Sequence, residues 1–213
     1  MKGSFNGVQA IIRKKYPEAL YVHCCSHSLN LARCHACETQ SVRNCIGTVK
    51  TIGNFLRSSA KRTKLLKENI KTEFPETKWT TLIPMCETRW VENHDGLMRF
   101  RDIYRCLVAT LEELSCDSDT ETSSKSLSFL KSILSSEFVI SLCSLALVFS
   151  YTSTVCIQLQ SPSCDLISAV KHIEDINENF KNIRENIEEN FSKTYQTASK
   201  MLNEVNENIR MQE

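Results

Sequence analysis

Apolar side chains recur every three or four residues along most of this chain, and this period restricts the fold more than any other feature. On a helix of 3.6 residues per turn, such a run forms one apolar stripe that must be buried. The 213 residues include only 5 glycines and 4 prolines, too few for a turn-rich β fold. We therefore predict a mainly α-helical protein. One run comprises Val42, Cys45, Ile46, Val49, Ile52, Phe55 and Leu56, and a second, predicted to be one long helix, comprises Leu97, Phe100, Ile103, Tyr104, Leu107, Val108, Leu111 and Leu114.

Two further apolar segments lie in the second half of the chain. Residues 138–149, FVISLCSLALVF, are 12 in number, whereas a bilayer span needs about 20. We therefore expect a buried core helix and no membrane partner. Beyond residue 165, the spacing predicts one long helix or two in tandem, buried against the protein's own helices rather than in a coiled-coil seam. Its stripe comprises Val170, Ile173, Phe180, Ile183, Ile187, Phe191, Ala198, Leu202, Val205 and Ile209.

Two segments depart from the helical pattern. Residues 19–24, ALYVHC, favour a short β-strand near the N-terminus. Residues 115–126, SCDSDTETSSKS, have the composition of a solvated, flexible loop. The fold expected from the pattern alone is thus a helical bundle with one strand and one long loop.

The charge is divided unevenly along the chain. Residues 1–71 contain 13 lysines and arginines against 3 acidic residues, and residues 72–213 contain 13 against 22. A basic segment favours a polyanionic partner such as DNA, and mutual attraction of the two parts of the chain is the alternative. The basic helix predicted near residues 59–71 supplies Lys61, Arg62 and Lys64 as candidate phosphate contacts, and a merely solvated helix face is the alternative.

The cysteine content and the N-terminal sequence indicate in which compartment the protein is expected. The chain has eleven cysteines, an odd number at irregular spacing, and no apolar run follows Lys2. Free thiols in a reducing, intracellular compartment are therefore expected rather than a disulfide framework behind a signal peptide.

Trp79 has no motif around it and is expected in the core.

Residues 21–37, YVHCCSHSLNLARCHAC, concentrate histidine and cysteine. Cys24, His27, Cys34 and Cys37 are the ligand types of a tetrahedral zinc site. The intervening SLNLAR favours a helix, which would hold His27 and Cys34 about 10 Å apart and too far for one ion. A Cys–His nucleophile pair is a second alternative. The third is structural, with Cys24 and His27 packed where a strand enters a helix. We expect no bound metal and no cofactor.

The same residues carry a resemblance to a known family. VHCCSHSLNLA resembles the Cys-x2-His motif of hAT-superfamily transposases, and Cys24 and His27 occupy its two positions. FNGVQAIIRKKYPEALYVHC is similar to the segment before that motif. CETRWVENHDGLMRF is similar to the family's Arg-Trp element, and LQSPSCDLISAV to a later helix junction. That junction points to the branch of domesticated relatives represented by the zinc finger MYM-type proteins and the 52 kDa repressor of the inhibitor of the protein kinase.

The resemblance implies an organisation and a location. Residues 1–25 would be a remnant of the RNase H-like core, and residues 26–213 the all-helical insertion domain of that transposase fold. The family cuts DNA with two aspartates and one glutamate that hold metal ions, and the resemblance places these outside the present residues. It therefore implies a chain without catalytic activity, located in the nucleus.

By the resemblance, Trp90 would stack on an unpaired base, and Arg89 beside it would contact phosphate. The alternative role for Trp90 is to anchor the helix that starts nearby.

Two functions remain open. Weak DNA binding by residues 1–71 is one function. A protein–protein interaction module on the long C-terminal helices is the other.

Overall fold

The computed structural model describes residues 7–19, 32, 35, 39–85, 90–159, 161 and 165–210, with the backbone alone at residues 90–93 and 166. Within these residues the fold is all helical, which confirms the mainly α prediction. The strand predicted at 19–24 and the domain boundary at 25/26 lie outside the described residues except for Ala19. The helices are α1 (Val8–Lys15), α2 (Gln40–Arg57), α3 (Ala60–Glu73), α4 (Trp90–Asp102), α5 (Tyr104–Ser115), α6 (Thr120–Ile133), α7 (Ser136–Gln158), α8 (Leu166–Glu185) and α9 (Ile187–Asn203).

Helix α7 is the centre of the bundle. It packs against α2, α4, α6, α8 and α9. Its apolar residues cover the whole circumference of the helix rather than one stripe, as is typical of a helix surrounded by protein. Among the described helices, α7 is the one long and apolar enough to cross a membrane, and more than half of that stretch is buried in the bundle. The predicted core helix is thus confirmed.

The long helix predicted from Leu97 to Leu114 is divided in two. Ile103 adopts φ −105° and ψ 20°, between the helical and extended regions, so the axis changes direction between α4 and α5. Backbone hydrogen bonds from Ile103 to Arg99, 3.1 Å, and from Leu107 to Ile103, 3.0 Å, hold the two helices together. All eight apolar residues of this stripe are buried, so the kink bends the helix without turning its apolar face from the core.

The loop predicted at 115–126 is wrong for its second half. Residues 116–119 form a turn, and residues 120–126 are the first two turns of α6. Asp119 caps this helix, because its carboxylate accepts a hydrogen bond from the backbone N–H of Thr122 at 3.0 Å. Ser126 is fully buried. Acidic and hydroxyl residues are common both in loops and in first helical turns, so composition alone did not separate the two.

The C-terminal segment forms two helices in tandem, which was one of the two predicted alternatives. Asn186, at φ −110° and ψ 40°, separates α8 from α9. Both helices run antiparallel to α7. The rings of Tyr151 and Phe180 lie 6.4 Å apart between α7 and α8, and Cys143 Sγ lies 3.5 Å from Met201 Sδ between α7 and α9.

Burial of the C-terminal stripe is only partial. Ala198 and Leu202 are fully buried, whereas Val170, Ile187 and Phe191 are exposed. The prediction of burial against the protein's own helices therefore holds for the end of α9 and not for Val170 near the start of α8 or for the first turns of α9.

Because α7 is the centre of the core, we expect Leu142→Ala to lower the free energy of unfolding by about 2–5 kcal/mol, since a buried Leu-to-Ala change leaves a cavity. Leu127→Ala on α6 is the matched control. Leu127 is 45% exposed whereas Leu142 is fully buried, so the control should change the free energy by less than about 0.5 kcal/mol. Urea denaturation of both variants measures this. Equal losses would contradict the central position of α7.

The buried thiols give a pH prediction. Burial raises the pKa of Cys45 to about 12 and the pKa values of Cys143 and Cys106 to about 11 each. The thiolate is the reactive form, so at pH 8 an alkylating agent should modify the exposed Cys116 far faster than these three. Since unfolded thiols have a pKa near 8.5, stability should be fully retained below that pH and fall as the pH rises toward the folded-state values.

Site-resolved mass spectrometry after brief alkylation, and thermal melting between about pH 8 and 10, measure the two effects. Labelling of Cys45 at the same rate as Cys116 would show that the Cys45 thiol is accessible and would contradict the prediction.

Candidate nucleic-acid interface

Helix α3 carries the three described candidates for phosphate contact. Its apolar side faces inward, where Leu66 and Ile70 are buried and the helix packs against α2 and α5. Polar contacts fix its rotation. Asn69 Nδ2 donates to Thr110 Oγ1 at 3.0 Å, and Arg105 Nη1 donates to Glu73 Oε1 at 2.7 Å. The opposite side of α3 is thereby held toward solvent.

The solvent side of α3 forms a row of four lysines, here called the lysine face: Lys61, Lys64, Lys67 and Lys71. The spacing of three or four residues places them along one side of the helix, and all four are exposed. Lys67 and Lys71 were not among the predicted contacts, although the same spacing rule would have found them. Within the described part of the chain, neither has an ion-pair partner.

The two other lysines of this face are partly neutralised. Lys61 Nζ lies 2.6 Å from Asp117 Oδ2 in the turn between α5 and α6. Lys64 Nζ lies 3.7 Å from Glu68 Oε1 on the same helix. Both lysines remain more than two-thirds exposed. The Lys64–Glu68 pair is exposed at both ends and contributes little free energy, whereas the Asp117 side chain that holds Lys61 is 7% exposed. The ammonium groups of both lysines remain accessible to a stronger anion.

Arg62 does not belong to the lysine face. Its guanidinium carbon lies 3.9 Å above the ring centroid of Phe55, and its Nη2 donates to Ser58 Oγ at 3.2 Å. Phe55 in turn contacts Phe129 edge-on, with centroids 5.2 Å apart. Arg62 is thus part of an Arg–Phe–Phe stack that joins α3, α2 and α6, and this structural role was missed at the sequence level because ring stacking depends on tertiary contacts.

The remaining predicted site residues are only partly described. Cys24, His27 and Arg89 lie outside the described residues, so their predicted roles stay predictions. Trp90 is the first residue of α4, and its side chain is not described. Within the described ranges, no group of three or more histidine, cysteine or acidic residues is placed to hold a metal ion.

Trp79 is not the core residue that we predicted. It is 38% exposed, and the Arg99 guanidinium lies 4.4 Å above its ring centroid. Arg99 also donates to the carbonyl of Thr81 at 3.2 Å. The aromatic ring is therefore covered by a cation on one side instead of being surrounded by apolar side chains.

The fold and this surface define a mainly α-helical bundle with a basic helix face at its edge. By sequence, the chain is a distant relative of the 52 kDa repressor of the inhibitor of the protein kinase: it is 22% identical to the human protein over 187 residues and 23% identical to the mouse protein over 189 residues. Each match covers 85% of this chain and 25% of the relative, so the chain spans about a quarter of the length of these relatives.

No family model matches the chain, and no solved structure matches it. The matches to the human and mouse 52 kDa repressor confirm the predicted resemblance to this branch at the level of distant homology. The assignment to hAT-type transposases is a finer statement and remains a proposal.

We expect Arg62→Gln to lower the free energy of unfolding by about 0.5–2 kcal/mol, because it removes the partly desolvated cation–π contact with Phe55. Lys64→Gln, two residues along the same helix, is the matched control and should change stability by less than about 0.5 kcal/mol. Thermal melting of the two variants distinguishes a structural arginine from a solvated one. Equal melting temperatures of the two variants would contradict the structural role and leave Arg62 as a candidate phosphate contact.

Proposed function

We propose that this chain is a helical domain derived from a hAT-type transposase, without catalytic activity of its own, that binds DNA weakly through the lysine face of α3. The observation that carries the DNA-binding part is the row of four exposed lysines, held outward by the Asn69 and Glu73 contacts on the other side of the helix. Distant homology to the 52 kDa repressor over 85% of the chain supports the ancestry.

The lysine face has the chemistry of sequence-independent DNA contact. Lysine ammonium groups contact phosphates as point charges, and each phosphate contact releases counterions. No described side chain on this face has the planar donor and acceptor pattern that reads base edges, apart from the neighbouring Asn69 that is engaged with α5. Binding is therefore expected to be weak, tolerant of sequence and strongly dependent on salt.

The absence of catalysis and the nuclear location rest on the resemblance. By the resemblance, the catalytic aspartates and glutamate of the family would correspond to positions outside these residues, and a DNA-binding derivative of a transposase would act in the nucleus. We include Arg89 and Trp90 in the proposal as contacts to unpaired bases beside the phosphate contacts of α3.

A protein–protein interaction module on the C-terminal helices is the second candidate. One observation favours it: Ile187, Phe191 and Tyr195 on α9 are exposed, and the latter two line a groove of about 690 Å³. The other apolar walls of this groove are Leu134, Ile140 and Ile209. Exposed apolar surface of this kind is typical of contact sites.

We expect the triple variant Lys64→Gln, Lys67→Gln and Lys71→Gln to flatten the slope of log K against log salt by about 2–3, since each phosphate contact contributes about −0.9. The control is Lys125→Gln, Lys193→Gln and Lys200→Gln, which removes the same charge from α6 and α9. Fluorescence anisotropy with a random-sequence duplex over a range of salt concentrations measures both. A slope unchanged in the first variant, or changed equally in both, would favour the interaction module over DNA binding.

A further inference from the structure

The turn between α5 and α6 presents an exposed serine, Ser118, among acidic residues. Asp117 and Asp119 flank it, and Glu121 lies three positions further along. Ser118 belongs to neither helix and is exposed. The turn around it is held in place, because Asp117 Oδ1 accepts from the backbone N–H of Asp119 at 3.0 Å and Asp119 caps α6. The hydroxyl therefore stands on an accessible, non-helical segment between two fixed helices.

This turn is in direct contact with the lysine face. Lys61 Nζ lies 2.6 Å from Asp117 Oδ2, and Asp117 is adjacent to Ser118 in the chain. The Lys61 side chain is 71% exposed, whereas that of Asp117 is 7% exposed. Hydrogen bonds from the backbone of Asp119, from Lys61 and from Ser118 lower the pKa of Asp117. The carboxylate is thus ionised at neutral pH, and Lys61 is held at the Ser118 end of α3.

We propose that Ser118 is a phosphorylation site for an acid-directed protein kinase, and that the phosphate pairs with Lys61 and weakens DNA binding by the lysine face. The reaction transfers the γ-phosphoryl group of a nucleoside triphosphate to Oγ of Ser118. The bond between the γ-phosphorus and its bridging oxygen breaks, the P–Oγ bond forms, a nucleoside diphosphate leaves, and the hydroxyl proton passes to a base of the kinase. The regulatory half rests on the proposed DNA binding, and the modification half does not.

Charge favours this turn as a kinase substrate. Asp117, Asp119 and Glu121 lie one position before, one after and three after Ser118. Their carboxylates complement a kinase substrate cleft that is lined with lysine and arginine. The other exposed serine nearby, Ser124, lies within α6, where the helical backbone cannot extend through a kinase cleft. Ser118 combines exposure, an irregular backbone and flanking acidic residues.

The phosphate would act on Lys61 through local electrostatics. A phosphoserine carries about −1.5 to −2 charges and three strong acceptor oxygens, and at this position it lies before the N-terminus of α6, where the helix dipole favours an anion. Asp117, Asp119 and Glu121 oppose it, and Lys61 is the cation that faces this turn from α3. A dianion competes with Asp117 for Lys61 and cancels up to about two of the four positive charges of the lysine face.

The modification is tested without DNA. The chain is treated with ATP and a serine/threonine kinase that selects acidic substrates, and intact mass and peptide mapping count the phosphates. We expect one phosphate on Ser118, lost in Ser118→Ala and retained in Ser124→Ala. Unchanged incorporation in Ser118→Ala would overturn the assignment.

The pairing with Lys61 is also tested without DNA. The second pKa of the phosphoserine, followed by ³¹P NMR, should be higher in Lys61→Gln than in the unsubstituted chain, because removal of a cation disfavours the dianion. The variant Lys71→Gln, at the far end of the same face, should leave that pKa unchanged. Equal shifts in the two variants, or none, would overturn the contact.

The regulatory half uses the same phosphorylated protein. Its affinity for the random-sequence duplex should fall about tenfold, and its salt slope should flatten by about 1–2, as expected for the loss of one or two phosphate contacts. Unchanged affinity after full phosphorylation would overturn the regulation alone. No DNA binding by the unmodified chain would overturn the proposed function and the regulatory half together, while the phosphate count and the NMR result would still decide the modification itself.

Discussion

The packing of α7 against five other helices is the interaction on which the rest of this structure depends. The helix is apolar around most of its circumference, so its stability depends on neighbouring helices that cover the greater part of it. Helices α2, α4, α6, α8 and α9 cover more than half of its apolar stretch and leave Val148 and Ile157 exposed. The ring pair Phe100 and Phe138, with centroids 6.0 Å apart, is one such contact between α4 and α7.

The position of the candidate interface follows from this arrangement. Helix α3 is peripheral: it packs on α2 and α5 rather than on the central helix, so only one of its sides is needed for folding. Leu66 and Ile70 supply that side, and the other is free to carry charge. The basic N-terminal part and the acidic C-terminal part do not pair through α3. The ion pairs that α3 makes with other described helices or turns are those of Lys61 with Asp117 and of Glu73 with Arg105. The basic face is therefore not neutralised by the acidic C-terminal helices within the described residues.

The periodicity predicted the mainly helical fold, the buried stripe from Leu97 to Leu114 and the core helix α7, because the spacing of apolar residues along a helix reflects which of its sides is buried. It did not predict the kink at Ile103, whose apolar neighbours continue the same stripe on both sides of the bend. It also did not predict that Arg62 stacks on Phe55 or that Arg99 covers Trp79, since such contacts join residues whose separation in sequence carries no pattern. Lys67 and Lys71 were predictable from spacing, whereas the contact of Lys61 with Asp117 required the packing of α3 against the end of α5.

The place of α7 in the chain has a consequence for biosynthesis. Its residues follow those of α2 to α6, so the ribosome makes these five helices before it makes the one against which α2, α4 and α6 pack. Until α7 has left the exit tunnel, the sides of these three helices that contact α7 have no cover from it. The nascent chain must therefore carry exposed apolar surface until α7 is made and can pack against these helices.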